Sequence, residues 1–137
     1  MDQISFSIDA FLVRGPIKFL EDELKEKRFL EGVVVSVTYF ERFGLEKLSD
    51  YFKSKGVPVE PLNLERLKIP AMTRMLERFG IIDNKTHSRM LEVNQVRNKI
   101  VHPHTVHGLK DPDAINGSEA KKAIETAIEC LKALGVT

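Results

Sequence analysis

At 137 residues, 42% of them hydrophobic and 30% charged, the chain is the size of one globular domain and too small for two independent cores. Its 21 Lys plus Arg are matched by 20 Asp plus Glu, which excludes a protein that coats nucleic acid through a global positive field; any RNA contact has to be local and brief. The single cysteine, Cys130, excludes an internal disulfide and a cysteine-based zinc cluster, and no apolar run approaches the roughly 18 residues that span a bilayer.

The first fourteen residues fit two patterns. Ile4, Phe6 and Ile8 alternate as in a strand, whereas Ile8, Phe11 and Leu12 share a helical face, so a short N-terminal arm or helix is expected. Residues 1–9 hold no basic stretch followed by an apolar one, so no secretory signal is expected and the protein is expected to be cytoplasmic. Gly15-Pro16 punctuates the chain, and Pro16 suits the first turn of a helix. Ile17, Leu20, Leu24 and Phe29, spaced among Glu and Lys, predict an amphipathic helix to about Lys27. The mixed-sign run from Glu21 to Arg28 predicts a solvated face laced by ion pairs.

Residues 29 to 55 are the most apolar stretch. Val33, Val34, Val35 and Val37 favour a strand by residue type, but Val33, Val37, Phe40, Leu48, Tyr51 and Phe52 keep helical spacing over several turns. A strand of that length would be unusual. The prediction is a long central helix, stopped by Gly56 and Pro58. Residues 57–68 form a structured connector with room for one helical turn. A short helix from Ala71 to Phe79 follows, stopped at Gly80.

Asp83 or Asn84 is placed to cap the next helix, which carries Met90, Val93, Val96, Arg97 and Ile100 and closes at Pro103. A loop to Gly117 holds three histidines. The last helix has the clearest stripe: Ala120, Ala123, Ile124, Ala127, Ile128, Leu131 and Leu134 share one face, with Cys130 as a small buried hydrophobe beside them. The expected fold is all-α: one domain over residues 1–137, an antiparallel bundle of four to five helices with a short N-terminal arm.

The run Arg97-Asn98-Lys99-Ile100-Val101-His102 is where the chain stops looking generic. On an ideal helix, positions five apart point about 140° away from each other, whereas Asn98 and His102, four apart, stack. Pro103 pushes the residue before it out of helical geometry, so the helix is expected to end at His102. That exit, with the long arginine stem, lets Arg97, Asn98 and His102 converge. The chemistry there is defined: histidine takes and returns a proton near neutral pH, and arginine grips a phosphate with two parallel hydrogen bonds. Asn98 offers both a donor and an acceptor. By spacing alone, an ion cluster at a helix end explains the run as well as a site does.

Val96 to Pro103 resembles the signature of HEPN domains: an Arg, a polar residue such as Asn, and a His after four to six intervening residues, on a late helix of a small all-α chain. The resemblance in architecture extends over about residues 29–134. It implies a HEPN-like bundle that forms a homodimer, two motifs facing one another across a shared cleft. It further implies a metal-independent endoribonuclease, with RNA as substrate and, in toxin or defence systems, an antitoxin protein as partner. His102 would be the general acid/base, Arg97 the phosphate and transition-state stabiliser, and Asn98 the polar residue orienting the pair. Some members are non-catalytic and act as dimerisation, nucleotide-binding or partner-binding modules. In a subset of the toxins a Tyr follows two residues after the His; here that position is His104.

His102, His104 and His107 with Asp111 match no strong zinc spacing, so no metal is expected and a solvated loop is the default. His104 is an auxiliary candidate, as a second proton carrier. Glu41, beside Tyr39 and Phe40, either reaches the Arg97 cleft or faces solvent. Met72, Met75 and Met90 have core-like spacing. With no glycine-rich phosphate loop, nucleophile elbow or paired-cysteine motif, no cofactor is expected.

Overall fold

The computed structural model describes residues 15–101 and 117–137, and among these every regular element is a helix. The elements are α1 (Pro16–Lys25), α2 (Phe29–Ser54), α3 (Ile69–Arg78), α4 (Asn84–Val101) and α5 (Gly117–Ala133). Two 3-10 turns, Glu60–Leu62 and Leu64–Arg66, lie in the connector between α2 and α3. The N-terminal arm and the histidine loop fall outside the described residues. None of the described helices is long and apolar enough to cross a membrane.

At 26 residues, or about 39 Å, α2 is the spine: α1, α3, α4 and α5 all pack on it. The valine cluster does become helix. Val33, Val37, Phe40 and Leu48 are fully buried along one side of α2, and that burial outweighs the modest helix propensity of β-branched side chains. Gly32 sets the approach to α5, because a Cβ there would lie 2.5 Å from Ile124 Cδ1. Two of the inward hydroxyls, those of Ser36 and Thr73, are satisfied within their own helices. Ser36 Oγ donates to the Gly32 carbonyl at 2.7 Å and Thr73 Oγ1 to that of Ile69 at 2.9 Å.

The stripe on α5 is buried along its whole length, and Leu134 just beyond the helix continues it. Cys130 is buried among these residues, and desolvation pushes its thiol up to about 12. Asp83 caps α4, its carboxylate accepting the Thr86 N–H at 2.8 Å. Hydrogen bonding with the Thr86 side chain, and after it the bond from the Thr86 N–H, holds the Asp83 carboxyl below the usual range.

Two expectations need correction. The charged run after Leu20 is not all solvated, because Glu23 is 1% exposed. It lies three residues after Leu20, on the face turned toward α2 and α5, and Arg28 Nε donates to its Oε1 at 2.7 Å. Asp22 of the run pairs with a lysine before it, Lys18, at 3.2 Å. The short helix also starts earlier than Ala71, at Ile69. Pro70 belongs to its first turn, where a missing N–H costs nothing and the ring fixes a helical φ.

Candidate functional site

The last two turns of α4 carry Asn94, Arg97 and Asn98. At spacings of three and four these residues share one helix face. That face opens on a cavity of about 670 Å³. Glu41 of α2 forms a second wall; the third is the end of the connector and the start of α3, from Glu65 to Pro70. The connector is pinned there by its own hydrophobic residues: Leu64 and Ile69 are buried on either side of it and leave Arg66 and Lys68 exposed.

Within the cavity Arg97 is held. Its Nη2 donates to Asn94 Oδ1 at 2.9 Å, and Asn94 is itself 6% exposed and fixed by burial. Arg97 Nε is buried and has no hydrogen-bond partner among the described residues. A guanidinium braced on one edge, with donors still unused, is ready for an anion with two acceptor oxygens. Asn98 lies one helical turn on from Asn94 in the same wall, and its amide makes no hydrogen bond to a described residue.

Of the residues singled out in the sequence, Arg97, Asn98 and Glu41 come together around this one cavity. Glu41 is exposed in the cavity wall, while Arg97 pairs with Asn94. His102, His104, His107 and Asp111 lie outside the described residues. Lys99 Nζ and Glu119 Oε1 meet at 2.9 Å, joining the last turn of α4 to the first turn of α5. This pair links the two described segments, 15–101 and 117–137, close to where each one ends or begins.

The histidine that is described, His87, serves elsewhere. It sits in the first turn of α4, 3.8 Å from Glu77 Oε2, and ten residues of helix put it about 15 Å along the axis from Arg97. Among the described residues no group of three or more His, Cys, Asp or Glu side chains is gathered for a metal ion.

Two parts of the site escape a sequence reading. Asn94 had a signal, since it precedes Arg97 by one helical turn. Arg66 and Lys68 had none, because tertiary packing alone brings a segment about thirty residues upstream against the end of α4. Comparison with protein-family models, with curated proteins and with solved structures gives no match.

Proposed function

We propose that the chain is a HEPN-type endoribonuclease that works as a homodimer and cleaves RNA through the strand's own 2′-hydroxyl. The observation that carries this reading is the braced Arg97 guanidinium: half-buried and tied to Asn94, on the wall of an open cavity. His102 follows one residue after the described end of α4. In this reaction the 2′-oxygen bonds to phosphorus as the bond to the 5′-oxygen breaks. His102 supplies the proton transfer near neutral pH, and Arg97 meets the charge that gathers on the non-bridging oxygens. Asn98 orients the imidazole through its free amide. A toxin or defence role with an antitoxin protein belongs to the same reading. With His104 in place of a tyrosine, neutralisation would not run through tyrosine modification.

The test is incubation of single-stranded RNA with the purified protein in EDTA. The expected products end in 2′,3′-cyclic phosphate, and His102→Ala slows their formation by at least about 100-fold with helix content unchanged by circular dichroism. Equal cleavage by His102→Ala, or activity lost to the chelator, rules the mechanism out.

A second reading, a non-catalytic dimerisation or nucleotide-binding module, is favoured by the two carboxylates, Glu41 and Glu65, in the cavity wall. It predicts no cleavage under any condition and loss of assembly or ligand binding in Arg97→Ala.

A further inference from the structure

We propose that the cavity is a subsite for one nucleotide of the RNA strand, flanking the phosphate that Arg97 holds. Its base lies on the ledge formed by Leu67 and Pro70, and its outer phosphate is held by Arg66 and Lys68. This rests on the assignment of Arg97 to phosphate, and it gives the connector between α2 and α3 the task of choosing what binds.

Three observations lead there. The cavity, at about 670 Å³, falls within the ~300–1,000 Å³ typical of small-molecule sites, so it has room for more than a bare phosphate. Its charge is divided: Arg66 and Lys68 stand on the connector wall beside Glu65, and Arg97 stands on the α4 wall, with Glu41 on the wall from α2. The cations outnumber the carboxylates and stand on two separate walls, which suits two phosphates better than one. Between the two cations of the connector and just beyond them lie Leu67 and Pro70, two apolar side chains on the same space that are not buried in the core. Phosphates gain nothing from such a surface, whereas the face of a base does. Asn98, with its amide free, can bond to the edge of that base or to the ribose.

The probe is adenosine 3′,5′-bisphosphate, which carries both phosphates and the base. Methyl riboside 3,5-bisphosphate, with both phosphates and no base, serves as the control. Calorimetric titration into the wild-type chain should show adenosine 3′,5′-bisphosphate binding about tenfold tighter than this control, and the Arg66→Ala/Lys68→Ala protein should lose about tenfold of that affinity. Both substituted positions are exposed, and an unchanged melting temperature should accompany the loss. A measurement that needs no substitution is the NMR shift of the Asn94 and Asn98 side-chain amides on titration with the bisphosphate.

Equal affinity for methyl riboside 3,5-bisphosphate would reduce the site to an anion pocket and overturn the proposal. So would unchanged binding in the double variant, or amides that do not move. Binding and cleavage fail separately. Bisphosphate binding without RNA cleavage removes the nuclease reading and leaves the subsite; cleavage with bisphosphate binding untouched by the double variant does the reverse.

Discussion

Glu23 is a carboxylate in a place the fold reserves for hydrocarbon. One oxygen accepts from Arg28 Nε, while Oε2 is buried with no hydrogen-bond partner among the described residues. Burial raises its pKa above the ordinary 4.5; the hydrogen bond from Arg28 opposes this, and Glu31 and Asp22 add to it. The folded state therefore holds the proton more tightly than the unfolded chain does. The stability this confers is full below pH 4.5 and is lost as pH rises through the folded pKa. Glu23→Gln keeps an acceptor for Arg28 and removes the buried charge. It should stabilise the protein by about 1 kcal/mol at pH 7 and by much less at pH 4, as read from urea melts at the two pH values. An equal effect at both would show that ionisation is not the cause. The sequence held the position but hid the environment. Glu23 follows Leu20 by three and precedes Leu24 by one, on the apolar stripe, and only its residue type suggested solvent. Asn94 is the parallel case at the site: its spacing from Arg97 was in the sequence, but an Asn inside a helix says nothing of what it braces.

At the scale of elements, the four helices α1, α2, α3 and α5 end in the same way. Each closes with a left-handed residue and the paired backbone bonds of a Schellman motif, such as Ile81 N–H to the Leu76 carbonyl at 2.9 Å and Gly80 N–H to that of Glu77 at 3.0 Å. Glycine occupies the left-handed position after α2, α3 and α5, at Gly56, Gly80 and Gly135. After α1 the residue is Lys27, at φ 58°. A side chain in that region costs roughly 1–2 kcal/mol, and the extra freedom glycine gives the unfolded chain returns roughly 0.5–1 kcal/mol of this. Lys27→Gly should therefore stabilise the fold by about 0.5–1 kcal/mol, seen as a higher urea midpoint with an unchanged slope. A lower midpoint would mean that the lysine side chain contributes a contact of its own. This scale also marks the limit of what sequence makes visible. The stops at Gly56 and Gly80 could be read because glycine announces a left-handed turn. Lys27 could not, because nothing in a lysine marks φ above zero. The path of α2 through its valines was legible from spacing, and the stripe on α5 still more plainly. The docking of the connector against α4 was not, since no local pattern encodes which distant segments meet.

For the whole molecule the deciding quantity is charge. A net charge of +1 gives no long-range field, so under the proposed nuclease reading an RNA strand would be held by the cations of the cavity, Arg66, Lys68 and Arg97. That makes binding countable through salt. Each phosphate neutralised on a single strand contributes a slope of about −0.7 to log K against log salt, so one cavity holding two phosphates gives about −1.4. A dimer whose two cavities share one strand gives about −3. A protein gripping RNA over a broad basic surface would give a slope steeper than either. The measurement is fluorescence anisotropy of a short single-stranded RNA with the His102→Ala protein, which should bind without cutting, across a series of KCl concentrations. Light scattering on the same samples gives the assembly state, so slope and stoichiometry can be matched. Dimer by mass with a slope of about −3 is the expected pair, and Arg66→Ala/Lys68→Ala should halve the slope to about −1.4 in that dimer, since one of the two phosphates in each cavity loses its cations. A slope near zero would remove phosphate from the cavity altogether. A dimer of the His102→Ala protein with a slope of about −1.4 would mean that a strand engages one cavity at a time, so the two motifs could not cooperate on one phosphate and the shared cleft would have to be given up.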